Sequence, residues 1–283
     1  MNEYPYFDPA SLHQALDDIQ GCSEKITFLA GGTDLFRKMK KGLFSPSALM
    51  NINNIPELQT IEYTQDKGLK IGAAVKVNTI EHSEIISKHF PILNQIAYRF
   101  GTFQVRSMGT IGGNICNASP AADFASVLLA LDAQFVIYSP EKTRVIPISE
   151  FFINTGETAL LNKEFLGEIL IPPQTPTSDV AILRHSTREM LDVSVLSVCI
   201  WMDFDEKLCQ SVRIGLGSVA PTPVRANSAE QVLIGKPLTD DVIQSCINCA
   251  QNDVEPISDF RSSAQYRRAM MAEYIRRILT NWS

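Results

Sequence analysis

Two short runs with adjacent glycines constrain the fold of this chain more than any other feature: FLAGGTDLF (residues 28–36) and TIGGNICNASPAADF (residues 110–124). Each lies between apolar segments and contains small polar residues after the glycines. Glycine loses more backbone entropy on folding than other residues, so a glycine pair needs a structural reason. Neither run has the G-x-G-x-x-G or G-x-x-x-x-G-K-[ST] spacing. Two interpretations stay open: plain tight turns, or two loops whose backbone N–H groups clamp the diphosphate of a dinucleotide.

The first half of the chain mixes predicted strands and helices. Residues 25–30 have the short apolar pattern of a buried strand that ends in the first glycine run. Asn78 or Thr79 is the predicted N-cap of a later helix, because side-chain oxygens there accept from the first helical N–H groups. Apolar residues at helical spacing predict a helix from residue 92 that ends at Gly101.

The second half of the chain has a different pattern. Residues 165–173 predict a strand closed by two prolines, and the cluster of Pro, Thr and Ser that starts at Gln174 is the best candidate domain boundary. Beyond it, two apolar segments around residues 205–207 predict an antiparallel hairpin, and residues 228–253 and 263–282 predict amphipathic helices. The chain beyond Gln174 is therefore predicted to form an α+β domain.

Charge and composition exclude several classes of protein. The chain has 283 residues with a net charge of -6, which argues against nucleic acid as a partner because phosphate binding needs a clustered positive surface. The basic run from Arg37 to Lys41 is interpreted as a solvated helix face. The chain shows no signal-peptide pattern and no apolar run of about 18 residues, so we expect a cytoplasmic protein without membrane contact.

The six cysteines are scattered along the chain and do not form a disulfide-scaffold pattern. Cys246 and Cys249 form a C-x-x-C pair within a predicted helix. One such pair cannot complete a four-ligand metal site, so the favoured interpretation is two small residues on a helix. Metal ligands are not predicted in this chain.

The two glycine runs resemble the FAD-binding subunit of the molybdenum hydroxylases. The resemblance rests on FLAGGTDL together with FGTFQVRSMGTIGGNICNASPAAD, and it continues through EILIPP, RHSTREMLDVS and GSVAPTPVRANSAEQVLIGKPL. It covers nearly the whole chain, and the last stretch is most similar to the xanthine dehydrogenase members of a family that includes carbon monoxide and nicotinate dehydrogenases.

This resemblance implies an α+β fold with two domains. Residues 1–175 would form an FAD-binding domain of the vanillyl-alcohol-oxidase (PCMH) type, with subdomains at about 1–55 and 56–175. Residues 178–283 would form a domain like the C-terminal domain of the CO dehydrogenase flavoprotein, built on a three-stranded antiparallel sheet.

The resemblance also implies cofactor-binding residues and no catalytic residue. The first run would wrap the FAD diphosphate and ribityl chain through Phe28, Leu29, Ala30, Gly31, Gly32, Thr33, Asp34 and Leu35. The second run would close over the same phosphates through Thr110, Ile111, Gly112, Gly113 and Asn114. Asp123 would accept hydrogen bonds from cofactor hydroxyls, Phe100 would flank the isoalloxazine ring, and the Leu166 backbone would meet that ring. Substituting a bulky residue for Gly112 is expected to remove FAD and keep the fold.

Arg184 departs from the family pattern, which often has lysine at that place. An arginine keeps the positive charge but not the geometry, so a role beside the flavin is open. The adjacent His185 is interpreted either as a residue near the flavin or as a surface residue.

The implied task is electron transfer. Electrons from a molybdopterin-binding large subunit would pass through [2Fe–2S] clusters of a small subunit to FAD on this chain, and then to NAD+ or another acceptor, in a dimer of heterotrimers. The chain lacks the grouped cysteines that iron–sulfur clusters require, so FAD is its one predicted redox cofactor. Three alternatives stay open: a self-contained flavin oxidase, a carbon monoxide, nicotinate or aldehyde dehydrogenase relative, and an assembly module that has lost its flavin.

Overall fold

The computed structural model describes residues 4–188 and 193–283. Its strands are β1 (Tyr6–Phe7), β2 (Ile26–Leu29), β3 (Ala48–Asn51), β4 (Ile61–Thr64), β5 (Gly68–Gly72), β6 (Gln134–Tyr138), β7 (Thr143–Pro147), β8 (Phe152–Asn154), β9 (Glu157–Thr158), β10 (Phe165–Ile171), β11 (Ser178–His185), β12 (Leu196–Asp205), β13 (Leu208–Gly217) and β14 (Val224–Arg225). Its α-helices are α1 (Leu12–Gly21), α2 (Leu35–Lys40), α3 (Val77–His82), α4 (Glu84–His89), α5 (Pro91–Tyr98), α6 (Phe103–Met108), α7 (Ile111–Cys116), α8 (Asp123–Ala130), α9 (Asn227–Leu233), α10 (Asp240–Ala250) and α11 (Ala264–Thr280). Within these residues, no helix is long and apolar enough to cross a bilayer.

A small parallel sheet with the strand order β1-β3-β2 begins the fold. Helix α1 lies between β1 and β2 in the chain; its N-cap is Ser11, whose hydroxyl accepts from the Gln14 N–H at 3.2 Å. The helix buries Ala15 and Ile19 in the same core cluster as Met50 of β3. Because the strands run in one direction, the segment that follows β2 leaves at the carboxyl edge of the sheet, and this segment is the first glycine run.

A five-stranded antiparallel sheet with the order β4-β5-β10-β6-β7 forms the second layer. Helix α8 packs in the same core cluster and is buried from Phe124 to Ala130. A helix that is buried on all sides reads as apolar throughout, which explains why its sequence has no clear polar face. Strands β8 and β9 form a separate two-stranded sheet.

The C-terminal sheet has the order β11-β12-β13-β14 and is antiparallel. Three strands are long, as the resemblance implies, and β14 adds a fourth strand of only two residues. The β12–β13 turn lies at Glu206 and Lys207, and Glu206 has a φ of 54°. Helices α9, α10 and α11 contribute to the core cluster on this sheet, with Cys246 fully buried in it. The C-x-x-C pair is therefore a helix-packing pair, as interpreted from the sequence.

Helix α8 joins the two parts of the molecule. A Cβ at Gly215 of β13 would collide with the carbonyl oxygen of Ser126, so the strand and helix backbones are in direct contact. Arg213 donates from Nε to the Ala130 carbonyl at 2.8 Å, and its guanidinium lies 3.6 Å from the ring centroid of Trp201. This contact fixes the C-terminal sheet against the helix that follows the second glycine run.

Three local predictions differ from the structure. Residues 228–253, predicted as an amphipathic helix, form the two helices α9 and α10, because Gly235, with a φ of 73°, and Pro237 interrupt the helix. The N-cap of α3 is Lys76 without a side-chain hydrogen bond, so the prediction of Asn78 or Thr79 is wrong; the Val77 N–H instead donates to the Gly109 carbonyl, a contact distant in sequence. The second glycine run, predicted as a turn, contains the short helix α7. Glycine lowers helix propensity by about 1 kcal/mol, and tertiary packing overrides it here.

Candidate functional site

The first glycine run links strand β2 to helix α2. Gly32 has a φ of 69°, a backbone conformation that favours glycine, and Asp34 is the N-cap position of α2. Among the described residues, the N–H groups of Gly31, Gly32, Thr33 and Asp34 have no hydrogen-bond acceptor. Four adjacent free donors at the end of a parallel strand are suited to an anion.

The second glycine run has its donors already occupied. Ile111 N–H donates to the Val75 carbonyl and Gly112 N–H to the Ala73 carbonyl, at 3.0 and 2.9 Å. Thr110 caps helix α7 by accepting from the Gly113 N–H at 3.0 Å. The second run is therefore a rigid wall of the site, and the free backbone donors come from the first run.

The glycines of both runs are closely packed, and Gly31 of the first run lies against the residues that precede the second run. A Cβ at Gly31 would collide with the Met108 carbonyl oxygen and lie 2.6 Å from the Gly109 Cα. A Cβ at Gly112 would lie 2.6 Å from both the Cβ and the carbonyl oxygen of Ala73. At Gly113 a Cβ would lie 2.9 Å from the Thr110 hydroxyl, with no backbone in the way. Gly112 is thus a packing glycine, and a bulky residue there would disturb the fold, contrary to the sequence-based expectation.

A cleft of about 270 Å³ lies between the two runs, and we call it the polar compartment. It is lined by Phe28, Ala30, Gly31, Gly32, Thr33, Asp34, Leu35, Lys38, Phe44, Phe100, Gly109, Thr110, Gly113, Asn114, Cys116, Asn117 and Gly156. The side-chain oxygen Oδ1 of Asn114 is buried and has no partner among the described residues. An unsatisfied buried oxygen in a cleft wall indicates a missing donor from a ligand or water.

A second cavity of about 200 Å³, the apolar compartment, adjoins the first. It is lined by Phe28, Ala30, Ile52, Ala73, Gly112, Gly113, Cys116, Leu160, Phe165 and Leu166. The two compartments share four of these residues: Phe28, Ala30, Gly113 and Cys116. Burial raises the pKa of the Cys116 thiol to about 12, so this shared cysteine is a neutral packing residue rather than a redox group.

Phe100 and Leu166 line adjoining compartments of the double cleft. Phe100 lies in the polar compartment beside Phe124, with the ring centroids 5.8 Å apart. Leu166 lies in the apolar compartment, next to Phe165. Both residues therefore border the double cleft, and their contact with the isoalloxazine ring stays a prediction.

Four predicted site residues lie outside both compartments. Leu29 and Ile111 are buried in the hydrophobic core, where they support the runs. Asp123 and Arg184 form an ion pair, with Arg184 Nε 2.8 Å from Asp123 Oδ1 and side-chain exposures of 3% for Arg184 and 13% for Asp123. Burial raises the pKa of Asp123, and the charge and hydrogen bond of Arg184 oppose that shift.

His185 lies beside helix α11. Its ring nitrogens are 3.1 Å from the Tyr266 hydroxyl and 3.4 Å from the Tyr274 hydroxyl. These contacts position His185 against the C-terminal helix, not in either compartment. The motif that continues beyond Arg188 includes residues 189–192, which lie outside the described residues.

The structure adds site residues that sequence reasoning missed. Lys38, Phe44 and Asn117 line the polar compartment, and Lys38 Nζ donates to Asn117 Oδ1 at 2.9 Å. Lys38 follows Asp34 by four residues on α2, so helical periodicity places both on one face. Asn117 could not be linked to Lys38 from sequence, because 79 residues separate them.

The double cleft fits FAD. Free N–H donors and the unpaired Asn114 oxygen suit phosphates and hydroxyls, and the apolar compartment suits a flat ring. Residues 2–174 match the family of the FAD binding domain in molybdopterin dehydrogenase, and residues 181–282 match the CO dehydrogenase flavoprotein C-terminal domain. The chain belongs to the FAD-binding medium subunits of the molybdenum hydroxylases, and it is an oxidoreductase subunit.

Several relatives have similar length and sequence. The xanthine dehydrogenase FAD-binding subunit of Escherichia coli O157:H7 is 29% identical over 97% of this chain and 96% of its own. The glyceraldehyde dehydrogenase medium chain of Sulfolobus acidocaldarius is 31% identical over 95% of this chain and 94% of its own. A structure of carbon monoxide dehydrogenase from Hydrogenophaga pseudoflava superposes with a TM-score of 0.92 at 31% identity, covering 98% of this chain and 96% of that one.

Proposed function

We propose that this chain is the electron-transfer subunit of a molybdenum hydroxylase of the xanthine dehydrogenase type. Electrons from [2Fe–2S] clusters of a partner subunit pass to FAD on this chain and then to NAD+ or another acceptor. The observation that carries the proposal is the double cleft, in which free backbone donors and an unpaired amide oxygen lie beside an apolar cavity. FAD, when bound, supplies the exchange of electrons, so the chain itself needs no nucleophile or general base.

The first glycine run binds the diphosphate in this proposal. The N–H groups of Gly31 through Asp34 donate to its oxygens without any rearrangement of the backbone, since none of them has an acceptor in the described part of the chain. Such preorganised donors bind an anion at little entropic cost. The second run holds the opposite wall, where Asn114 Oδ1 accepts from a cofactor hydroxyl.

Phe100 and Leu166 are the proposed neighbours of the isoalloxazine ring. Phe100 would exclude water from one face of that ring. Leu166 would meet the ring through its backbone. In support of this, the two residues line adjoining compartments that share four lining residues.

Asp123 and Arg184 act as a pair in this proposal. Asp123 lies outside both compartments; it would accept hydrogen bonds from cofactor hydroxyls that extend beyond them, and Arg184 orients its carboxylate. Because the carboxylate balances the guanidinium at 2.8 Å, Arg184 adds less positive charge near the flavin than an unpaired cation would.

Domain division and partners complete the proposal. We place the domain boundary between residues 175 and 178. This placement is supported because β10 ends at Ile171, and β11, which belongs to a different sheet, begins at Ser178.

The proposed partners are a molybdopterin-binding large subunit and an iron–sulfur small subunit, in a cytoplasmic dimer of heterotrimers. The chain carries no binding site for nucleic acid or membrane in this proposal.

The experiment is a comparison of the chain alone with the chain in its complex. The purified chain is expected to bind one equivalent of FAD and to leave that flavin oxidised when organic substrates such as purines and aldehydes are added. Addition of the two partner subunits should make flavin reduction depend on substrate. Reduction by substrate without partners would support a self-contained oxidase, and absence of flavin binding would support an assembly module.

A further inference from the structure

The polar compartment has an uneven charge distribution. Its charged lining residues are Asp34 and Lys38, and the apolar compartment is lined by uncharged residues. The Asp34 carboxylate is 3.0 Å from the Arg37 guanidinium, so its charge is balanced outside the cleft. Among the described residues, Lys38 takes part in no ion pair. The compartment therefore has one cation whose charge is not balanced by a neighbouring carboxylate.

The position of the Lys38 ammonium is fixed by a neutral group. Its Nζ donates to Asn117 Oδ1 at 2.9 Å, across from α2 to the C-cap of α7. An amide oxygen orients the ammonium and leaves its full charge available, whereas a carboxylate would neutralise it. An ammonium has three donors, so it can hold Asn117 and an anion together.

We propose that Lys38 is a cofactor-binding residue that recognises the diphosphate of FAD by charge, an inference that rests on the proposed function. The free N–H groups of residues 31–34 are positioned to donate hydrogen bonds to the diphosphate, but they carry only partial positive charges. The diphosphate is a dianion, so these groups do not balance its charge. Lys38 supplies the full positive charge at the same cleft. Charge-assisted hydrogen bonds are about twice as strong as neutral ones, so Lys38 contributes more than a single backbone donor.

The test compares Lys38→Gln with Lys40→Gln in the full chain freed of flavin. Both substitutions remove one positive charge from helix α2, but Lys40 is exposed and does not line the cleft, because residues two apart face different sides of a helix. The dissociation constant for FAD is measured by flavin fluorescence at several NaCl concentrations. Far-UV circular dichroism verifies that each variant is folded.

We expect Lys38→Gln to raise the dissociation constant about tenfold and to weaken its dependence on salt, with Lys38→Arg keeping most of the affinity. Lys40→Gln should change neither quantity. Equal effects of Lys38→Gln and Lys40→Gln, or an unchanged salt dependence in Lys38→Gln, would overturn the assignment of Lys38. Failure of the unsubstituted chain to bind FAD would instead overturn the proposed function.

Discussion

Arg184 Nε lies 2.8 Å from Asp123 Oδ1, and this buried ion pair joins strand β11 of the C-terminal sheet to the first residue of helix α8. The resemblance assigned each residue its own role at the flavin, but the structure makes them one unit. A buried cation is stable when a partner balances its charge, so each residue depends on the other.

Removal of the carboxylate should destabilise the chain. Asp123→Ala removes the carboxylate that balances the charge of the buried Arg184 guanidinium, and we expect the free energy of unfolding to fall by about 3 kcal/mol. Urea denaturation followed by circular dichroism measures this change. The control is Glu273→Ala, which breaks an exposed i,i+4 pair with Arg277 and should cost less than about 0.5 kcal/mol. Equal losses in the two variants would contradict the assignment.

The two glycines of the second run should respond differently to substitution. Gly113→Val places a side chain into the cleft beside the Thr110 hydroxyl, so FAD affinity should fall more than about tenfold with a smaller change in stability. Gly112→Ala forces a Cβ against the Ala73 backbone and should lower the free energy of unfolding by about 1–3 kcal/mol. FAD titration and urea denaturation of both variants distinguish the effects. If Gly112→Ala is as stable as the unsubstituted chain, the packing role is wrong.

Phe100 should shield the bound flavin. Phe100→Ala removes an aromatic ring from the polar compartment and should weaken FAD binding by about 1 kcal/mol while making the flavin more accessible to an iodide quencher. Phe103→Ala is the matched control, since Phe103 is 60% exposed and does not line the cleft. Stern–Volmer quenching of flavin fluorescence measures the accessibility. Identical quenching in both variants would place the flavin ring elsewhere.

One acid-dependent loss of stability should trace to Glu164. Its carboxylate accepts from Arg144 at 2.9 and 2.7 Å, and this hydrogen bonding holds its pKa below the ordinary value of 4.5. At pH values between the folded pKa of Glu164 and 4.5, the unfolded chain binds more protons at Glu164 than the folded chain does. The contribution of Glu164 to the free energy of unfolding is therefore fully present above this pH range, and it is lost as the pH falls through the range. Glu164→Gln should therefore show a shallower decline in the free energy of unfolding below pH 4.5. Urea denaturation at each pH measures this decline. Equal declines in the variant and the unsubstituted chain would show that Glu164 does not cause the loss of stability.

The sequence predicted the elements whose patterns are local. The strand that ends before Gly31, the hairpin turn at residues 205–207 and the last helix, predicted over residues 263–282, follow from apolar periodicity and turn residues. The family motifs also identified the class of cofactor. Helix α7 was missed, because its two glycines disfavour a helix locally and the packing of Gly112 on Ala73 overrides that preference.

The sequence by itself determined the two glycine runs, the family and thus the kind of ligand, because those depend on residue types at fixed spacing. Only the tertiary structure decided that the first run carries the free donors, that a Cβ at Gly112 meets the Ala73 backbone while one at Gly113 meets no backbone, and that Lys38 meets Asn117. It also decided that Arg184 is bound to Asp123. The physical reason is that hydrogen-bond satisfaction and charge balance depend on neighbours brought together by folding, which spacing along the chain does not encode.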